Sequence, residues 1–208
     1  MRIVLLHAYP FEPAMWDAVL PPLVAEHDVS APRLYDLPGD TMETWANALE
    51  PTLRDGAVLV GASMGGYLAL ALTRRAPERV RALVLVGAKA TPDTPERRAV
   101  RDETLRALAS GARPPEAPAS ITADELAGAT RALRDRRDQT DVVRLFPRPL
   151  LVCGGVSDDI LTPEEATALA GSAPAGELEL FDGSGHLPPL DEPARFTEVL
   201  VGFLARCT

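Results

Sequence analysis

Ala57-Val58-Leu59-Val60-Gly61-Ala62-Ser63-Met64-Gly65-Gly66-Tyr67 joins a short apolar run to a segment of helical composition through a turn of small residues. The run from Ala57 to Val60 is long enough for a buried strand and too short for an independent helix. Glycines two before and two after Ser63 permit a tight, strained turn without side-chain clash. In such a turn the serine hydroxyl projects at a helix N-terminus, where backbone N–H groups and the helix dipole favour developing negative charge. A Gly-Ser turn can also merely connect two elements, so the rest of the chain has to decide what Ser63 does.

Comparable apolar runs recur on both sides of this segment, at Ile3 to Leu6, Val29 to Leu34, Ala82 to Val86 and Leu150 to Cys153. Glu177 to Phe181 alternates polar and apolar residues, as a strand nearer a sheet edge does. Between them lie helical compositions at Met15 to Glu26, Met42 to Leu53, Gly65 to Arg75, Pro163 to Ala170 and Pro193 to Arg206. Strands alternating with helices predict an α/β fold: a mainly parallel sheet of about six strands with helices on both faces, because parallel neighbours need crossover connections. Ligands in such sheets bind beyond the carboxyl ends of the strands, so functional residues are expected just after strands.

The stretch from Thr91 to Pro147 breaks the rhythm, with helical segments, a proline patch at Pro114-Pro115-Glu116-Ala117-Pro118 and no strand candidate. It reads as a short helical cap, residues 91–147, inserted in a single domain spanning 1–208. Thr122-Ala123-Asp124-Glu125 predicts an N-cap and first-turn acids for a helix from Ala123 to Arg137.

Composition narrows the partners. A chain of 208 residues with 46% hydrophobic and 25% charged residues fits one compact domain. Its net charge of -9 argues against nucleic acid and anionic membranes, which are bound by clustered Lys and Arg. The arginines of Arg131 to Asp138 alternate with acids and read as a solvated helix face. The first residues are too briefly apolar for a signal peptide, and a soluble cytoplasmic protein is expected. Two cysteines, Cys153 and Cys207, with three histidines and no CxxC spacing indicate neither a disulfide framework nor a metal site.

A serine nucleophile needs a base, and His186 in Asp182-Gly183-Ser184-Gly185-His186-Leu187-Pro188 directly follows the last predicted strand. His27 ends a predicted helix as a surface residue, and His7 closes the first strand and organises a loop. The base needs a buried acid, and Gly155-Val156-Ser157-Asp158-Asp159-Ile160 offers two, either of which could instead cap the helix near Pro163. An oxyanion needs two donors: the Met64 backbone N–H, and one from the loop His7-Ala8-Tyr9-Pro10-Phe11, near Tyr9. Phe11 and Leu187 are candidate substrate contacts, with packing as the alternative role.

Taken together these residues resemble the α/β-hydrolase family along nearly the whole chain. Leu5-Leu6-His7-Ala8-Tyr9-Pro10 with Met15-Trp16-Asp17 looks like its oxyanion segment, and Tyr35-Asp36-Leu37-Pro38-Gly39 like its "DLPG" turn. Ser63 to Tyr67, Ala76 to Val80 and Thr91 to Glu96 are similar to the esterase and 3-oxoadipate enol-lactonase branch. The resemblance implies a serine hydrolase of a small ester or lactone, with Ser63, Asp158 and His186 as triad, Tyr9 and Met64 as oxyanion donors, and no cofactor. Counting from Pro149 gives Asp158 as the acid, whereas counting back from Pro163 gives Asp159.

Three departures stand out. Ala8 replaces the family's usual glycine, Asp40-Thr41-Met42 replaces the usual continuation after the "DLPG" turn, and the cap is short with no N-terminal hairpin. An abbreviated cap implies an open site, or one completed by another subunit in a homo-oligomer. Proteins similar to this one include thioesterases, carbon–carbon hydrolases, haloperoxidase-like enzymes and lyases, and fold does not choose among these. A non-catalytic ligand-binding protein is the remaining alternative.

Overall fold

The computed structural model describes residues 1–207. Six strands form one parallel sheet: β1 (Arg2–Leu6), β2 (Asp28–Ser30), β3 (Ala57–Ala62), β4 (Val80–Val86), β5 (Leu150–Gly155) and β6 (Gly176–Phe181), in the order β2-β1-β3-β4-β5-β6. Nine α-helices lie among the described residues: α1 (Leu20–Glu26), α2 (Met42–Leu49), α3 (Met64–Arg75), α4 (Pro95–Ala109), α5 (Ala123–Arg134), α6 (Thr140–Leu145), α7 (Pro163–Ser172), α8 (Pro188–Asp191) and α9 (Pro193–Ala205).

The period of two along each strand divides the core between the two faces of the sheet. Ile3, Leu5, Val58, Val60, Val84 and Cys153 point to the face covered by Trp16, Leu23 of α1 and Phe196, Leu200 and Phe203 of α9. Val4, Leu6, Leu59, Leu83, Leu85 and Val152 point to the other, packed against Trp45 of α2, Leu68 and Leu72 of α3 and Ala166 of α7. β3 is buried at every position, as a central strand covered on both faces must be. β6, with its exposed and half-buried positions, takes the sheet edge that its alternation predicts.

Several expected elements are shorter than the sequence suggests: the helix expected over Met42 to Leu53 ends at Leu49, followed by a 3-10 turn at Glu50–Leu53, and the one expected from Ala123 to Arg137 ends at Arg134. The strand expected at Val29 to Leu34 is only Asp28–Ser30, and Leu34–Asp36 turns into a 3-10 helix. The helix expected from Met15 starts at Leu20, after a separate 3-10 turn at Pro13–Trp16. Pro21 and Pro22 dictate that start, because proline is accommodated in a helix's first turn and not in its interior.

Between β4 and β5 the chain forms α4, α5 and α6 and no strand. The capping box at Thr122 and Glu125 is present, with each side chain bonded to the other's backbone N–H. The arginines that follow are not all solvated. Arg136 is buried, its guanidinium 4.1 Å from the Tyr67 ring centroid and Nη1 2.6 Å from Asp93. Asp93, also buried, takes a second bond from Arg101 at 3.2 Å. Alternating signs conceal this because the partner of Arg136 is supplied by a distant loop.

Candidate active site

The strand order reverses direction between β1 and β3, so their carboxyl ends open a crevice with the segment after Leu6 on one side and Ser63 on the other. Ser63 has φ 47° and ψ −108°, a conformation that an L-residue holds only when its surroundings enforce it. Its N–H donates to Val86 O at 2.7 Å, and its carbonyl accepts from Gly66 and Tyr67 in the first turn of α3. The flanking glycines are required by space. A Cβ on Gly61 would sit 2.4 Å from Gly65 O, and one on Gly65 would sit 2.0 Å from Leu6 O.

The structure brings the three triad candidates into one hydrogen-bonded chain. Ser63 Oγ donates to His186 Nε2 at 2.9 Å, and His186 Nδ1 donates to Asp158 Oδ2 at 2.9 Å. Asp158 is buried, and its Oδ1 also accepts the N–H groups of Ile160 at 2.8 Å and Leu161 at 3.1 Å. Burial by itself raises this carboxyl's pKa. The hydrogen bond from His186, electrostatic attraction to that side chain and the two N–H groups overcome it and hold the carboxyl below its ordinary value.

Asp159, one residue on, is exposed and directed elsewhere, lining a cavity of about 180 Å³ beside Tyr67, Arg97, Arg136 and Ile160. Neither aspartate caps α7, because Thr162 and Glu165 form that capping box themselves. Asp158 is therefore free to meet the imidazole.

The His186 loop is braced from two sides. Gly87, at the end of β4, lies beneath the ring, where an added Cβ would be 2.6 Å from His186 O. Asp191 Oδ2 accepts from Ser184 Oγ at 2.9 Å and from Gly185 N–H at 3.0 Å, and Glu192 accepts from Gly183 N–H at 3.0 Å. Sequence reading missed Asp191 and Glu192; a carboxylate a turn or two after a glycine loop has no pattern that separates it from surface charge.

Met64 opens α3, so its N–H has no carbonyl one turn back to bind. Across the crevice the oxyanion-loop candidate is tied down locally. Ala8 is fully buried, donates its N–H to Met15 Sδ at 3.1 Å and accepts from Phe11 N–H at 3.0 Å. Its methyl group packs in the layer with Trp16 and Phe196, which is how this chain accommodates alanine there. Phe11 and Leu187 are half-buried against that same layer.

Arg33 links three segments around this loop. It donates to Glu12 at 2.7 Å, to Asp36 at 2.7 Å and to Glu125 of α5 at 2.6 Å, and Ser120 donates to Glu12 from the other side. Thr130 of α5 approaches the Tyr9 hydroxyl at 3.4 Å. The departure at Asp40-Thr41-Met42 has a clear use, since Thr41 caps α2 and Asp40 pairs with Arg131 of α5 at 2.6 Å. The Ser63–His186 pair stays open to solvent, with the imidazole side chain 22% exposed. Among the described residues no cluster of three His, Cys, Asp or Glu side chains could hold a metal ion, and no helix is long and apolar enough to cross a membrane.

Known proteins share this arrangement of chain. A pimeloyl-[acyl-carrier protein] methyl ester esterase of Aromatoleum aromaticum is 43% identical over 90 residues, covering 41% of this chain and 36% of the relative. A 2-hydroxymuconate semialdehyde hydrolase of a Pseudomonas species is 27% identical over 92% of this chain and 81% of its own. The solved structure of a thermophilic esterase from Thermogutta terrifontis superposes with a TM-score of 0.89 at 27% identity, covering 100% of this chain and 90% of that one. Residues 3–199 match the family described as the alpha/beta hydrolase family, and the chain belongs to it.

Proposed function

We propose that this α/β hydrolase cleaves a small carboxylic ester or lactone through an acyl-enzyme on Ser63. His186 takes the Ser63 proton as Oγ attacks the carbonyl carbon, then returns it to the leaving alkoxide; in the second half it takes a proton from water, whose oxygen attacks the acyl carbon, and gives that proton to Ser63 Oγ as the acyl–oxygen bond breaks and the carboxylic acid leaves. Asp158 holds the ring with Nδ1–H inward and stabilises the imidazolium. The N–H groups of Met64 and Tyr9 receive the negative oxygen of each tetrahedral intermediate. Helices α4 to α6 act as the cap, and α5 reaches the oxyanion loop through Thr130 at the Tyr9 hydroxyl and its flank through Glu125, by way of Arg33 and Glu12.

The observation that carries this reading is the continuous hydrogen-bonded chain from Ser63 Oγ to His186 Nε2 and from Nδ1 to Asp158, both bonds at 2.9 Å, with the serine in a strained turn at a helix N-terminus. The test is turnover of nitrophenyl acetate and labelling by a fluorophosphonate. Wild type is expected to hydrolyse the ester and to be modified at Ser63, and Ser63→Ala to do neither. Equal turnover by Ser63→Ala would overturn the assignment.

A second reading is hydrolysis of a carbon–carbon bond, favoured by the similarity to the semialdehyde hydrolase over most of both chains. It uses the same serine, so substrate panels of esters and ring-cleavage-type diketo acids separate the two.

A further inference from the structure

His7 is fully buried yet stands outside the Ser63–His186–Asp158 chain. A polar ring with no exposure needs partners for both nitrogens. Nε2 accepts the backbone N–H of Leu34 at 2.9 Å, so it carries no proton. The hydrogen therefore resides on Nδ1, which donates to the carbonyl oxygen of Ala8 at 3.0 Å. Burial opposes charging the ring and lowers its pKa to about 4, although the bond to Ala8 pulls the other way. The tilted ring of Tyr35, 5.2 Å away, packs against it.

The acceptor is what gives this ring a role. The Ala8 carbonyl and the Tyr9 N–H are opposite ends of one planar trans peptide, so fixing the direction of the carbonyl fixes that of the N–H. The carbonyl receives two donors, His7 Nδ1–H and Phe11 N–H, both at 3.0 Å. A donor on the carbonyl also polarises the same amide and strengthens its N–H toward a developing oxyanion. Resting on the reading that Tyr9 N–H meets that oxyanion, we infer that His7 is a positioning residue for it: a neutral imidazole locked between Leu34 and Ala8 that aims the second oxyanion donor.

Two substitutions separate aiming from packing, because each keeps one of the two bonds. His7→Asn can place an amide N–H where Nδ1 stands and lacks the acceptor for Leu34. His7→Gln can place an oxygen where Nε2 stands and lacks the donor to Ala8. With nitrophenyl acetate, His7→Gln is expected to lose kcat by roughly tenfold or more with KM unchanged, a fraction of the ~10²–10³ lost when a donor is deleted outright. His7→Asn is expected to keep most of kcat even where its melting temperature falls as far.

The preference for an ester over its thionoester, which reports on the fit of the oxyanion, should drop in His7→Gln alone. Parallel loss of kcat and melting temperature in both variants, with that preference unchanged, would overturn the inference. If neither variant folds, histidine ¹⁵N spectra of the wild-type protein decide it: an Nδ1–H tautomer at His7 supports the inference and an Nε2–H tautomer refutes it. Undiminished turnover by Ser63→Ala would instead refute the ester reading, and this inference with it, whatever tautomer His7 holds.

Discussion

The carboxyl end of the sheet and the helices α4 to α6 are held together by different physics. At the sheet end, the residues of the proposed triad sit on turns that leave buried strands, and backbone packing leaves no room for adjustment: Gly61 against Gly65, Gly65 against Leu6, Gly87 beneath His186. The helical segment buries an apolar seam that includes Leu108, Ile121, Leu126, Leu133, Val143 and Phe146, and is further tied to the rest by ion pairs from Arg33 to Glu125 and from Arg131 to Asp40, while Arg136, paired with Asp93 of the same segment, stacks on Tyr67 of α3. Steric constraint fixes positions to fractions of an ångström. Charge pairs on long side chains fix a docking partner and tolerate movement.

The largest effects on turnover should come from the sheet end. Asp158→Asn keeps the shape of the side chain but can present an N–H to His186 Nδ1, favouring the wrong tautomer; kcat is expected to fall on the order of 10³–10⁴-fold. Asp159→Asn, at an exposed position, should change kcat by less than about twofold, as surface substitutions do. Steady-state rates on nitrophenyl acetate check both, and a large loss in Asp159→Asn would reverse the choice of acid.

How far these assignments are legible in the sequence differs between the regions for the same physical reason. The elbow, the strand runs and the order Ser63, acid, His186 are local patterns of residue size and hydrophobicity, which survive in one dimension. Asp158 against Asp159 is not local, since it depends on which carboxylate the turn after β5 directs inward. Arg136 is harder still: its neighbours suggest a solvated face, and only Asp93 and Tyr67, brought from other segments, make burial affordable. The late start of α1 was missed, since composition suggests a helix from Met15, although Pro21-Pro22 is a signal that marks its first turn. Asp191 and Glu192 were missed for lack of any pattern to mark them.

The helical segment should show the converse, a large loss of stability with little loss of chemistry. Arg136→Ala leaves Asp93 buried with Arg101 as its remaining partner and strips the Tyr67 ring of its stacked guanidinium. Breaking a buried pair from one side costs about 3–5 kcal/mol, and the surviving Arg101 contact puts this case at about 3. That corresponds to roughly 6–12 °C in melting temperature for a chain of this size. Measured well below the lowered transition, kcat on a small aryl ester should match wild type. A melting temperature unchanged within about 1 °C would mean that water already reaches the pair.

Acid should act on the two regions in separate windows. His7 has a folded pKa of about 4 against 6.5 for an ordinary histidine, so the unfolded chain binds a proton that the native chain refuses. Native stability therefore falls as pH drops from 6.5 to 4, by roughly 3 kcal/mol in total for this group. Glu125 in the helical segment behaves with the opposite chemistry and a lower window. The bond from Arg33 above all, with the Thr122 N–H, lowers its pKa from 4.5 to about 2. Its contribution is fully present above pH 4.5 and is lost as pH falls toward 2. Denaturant unfolding at pH 7 and at pH 4.5 tests the upper window, where His7→Gln should flatten the slope and Glu125→Gln should leave it as in wild type. If Glu125→Gln flattened that slope instead, the ion pairs and not the buried imidazole would govern the first response to acid, and the division of labour between the two regions would have to be reversed.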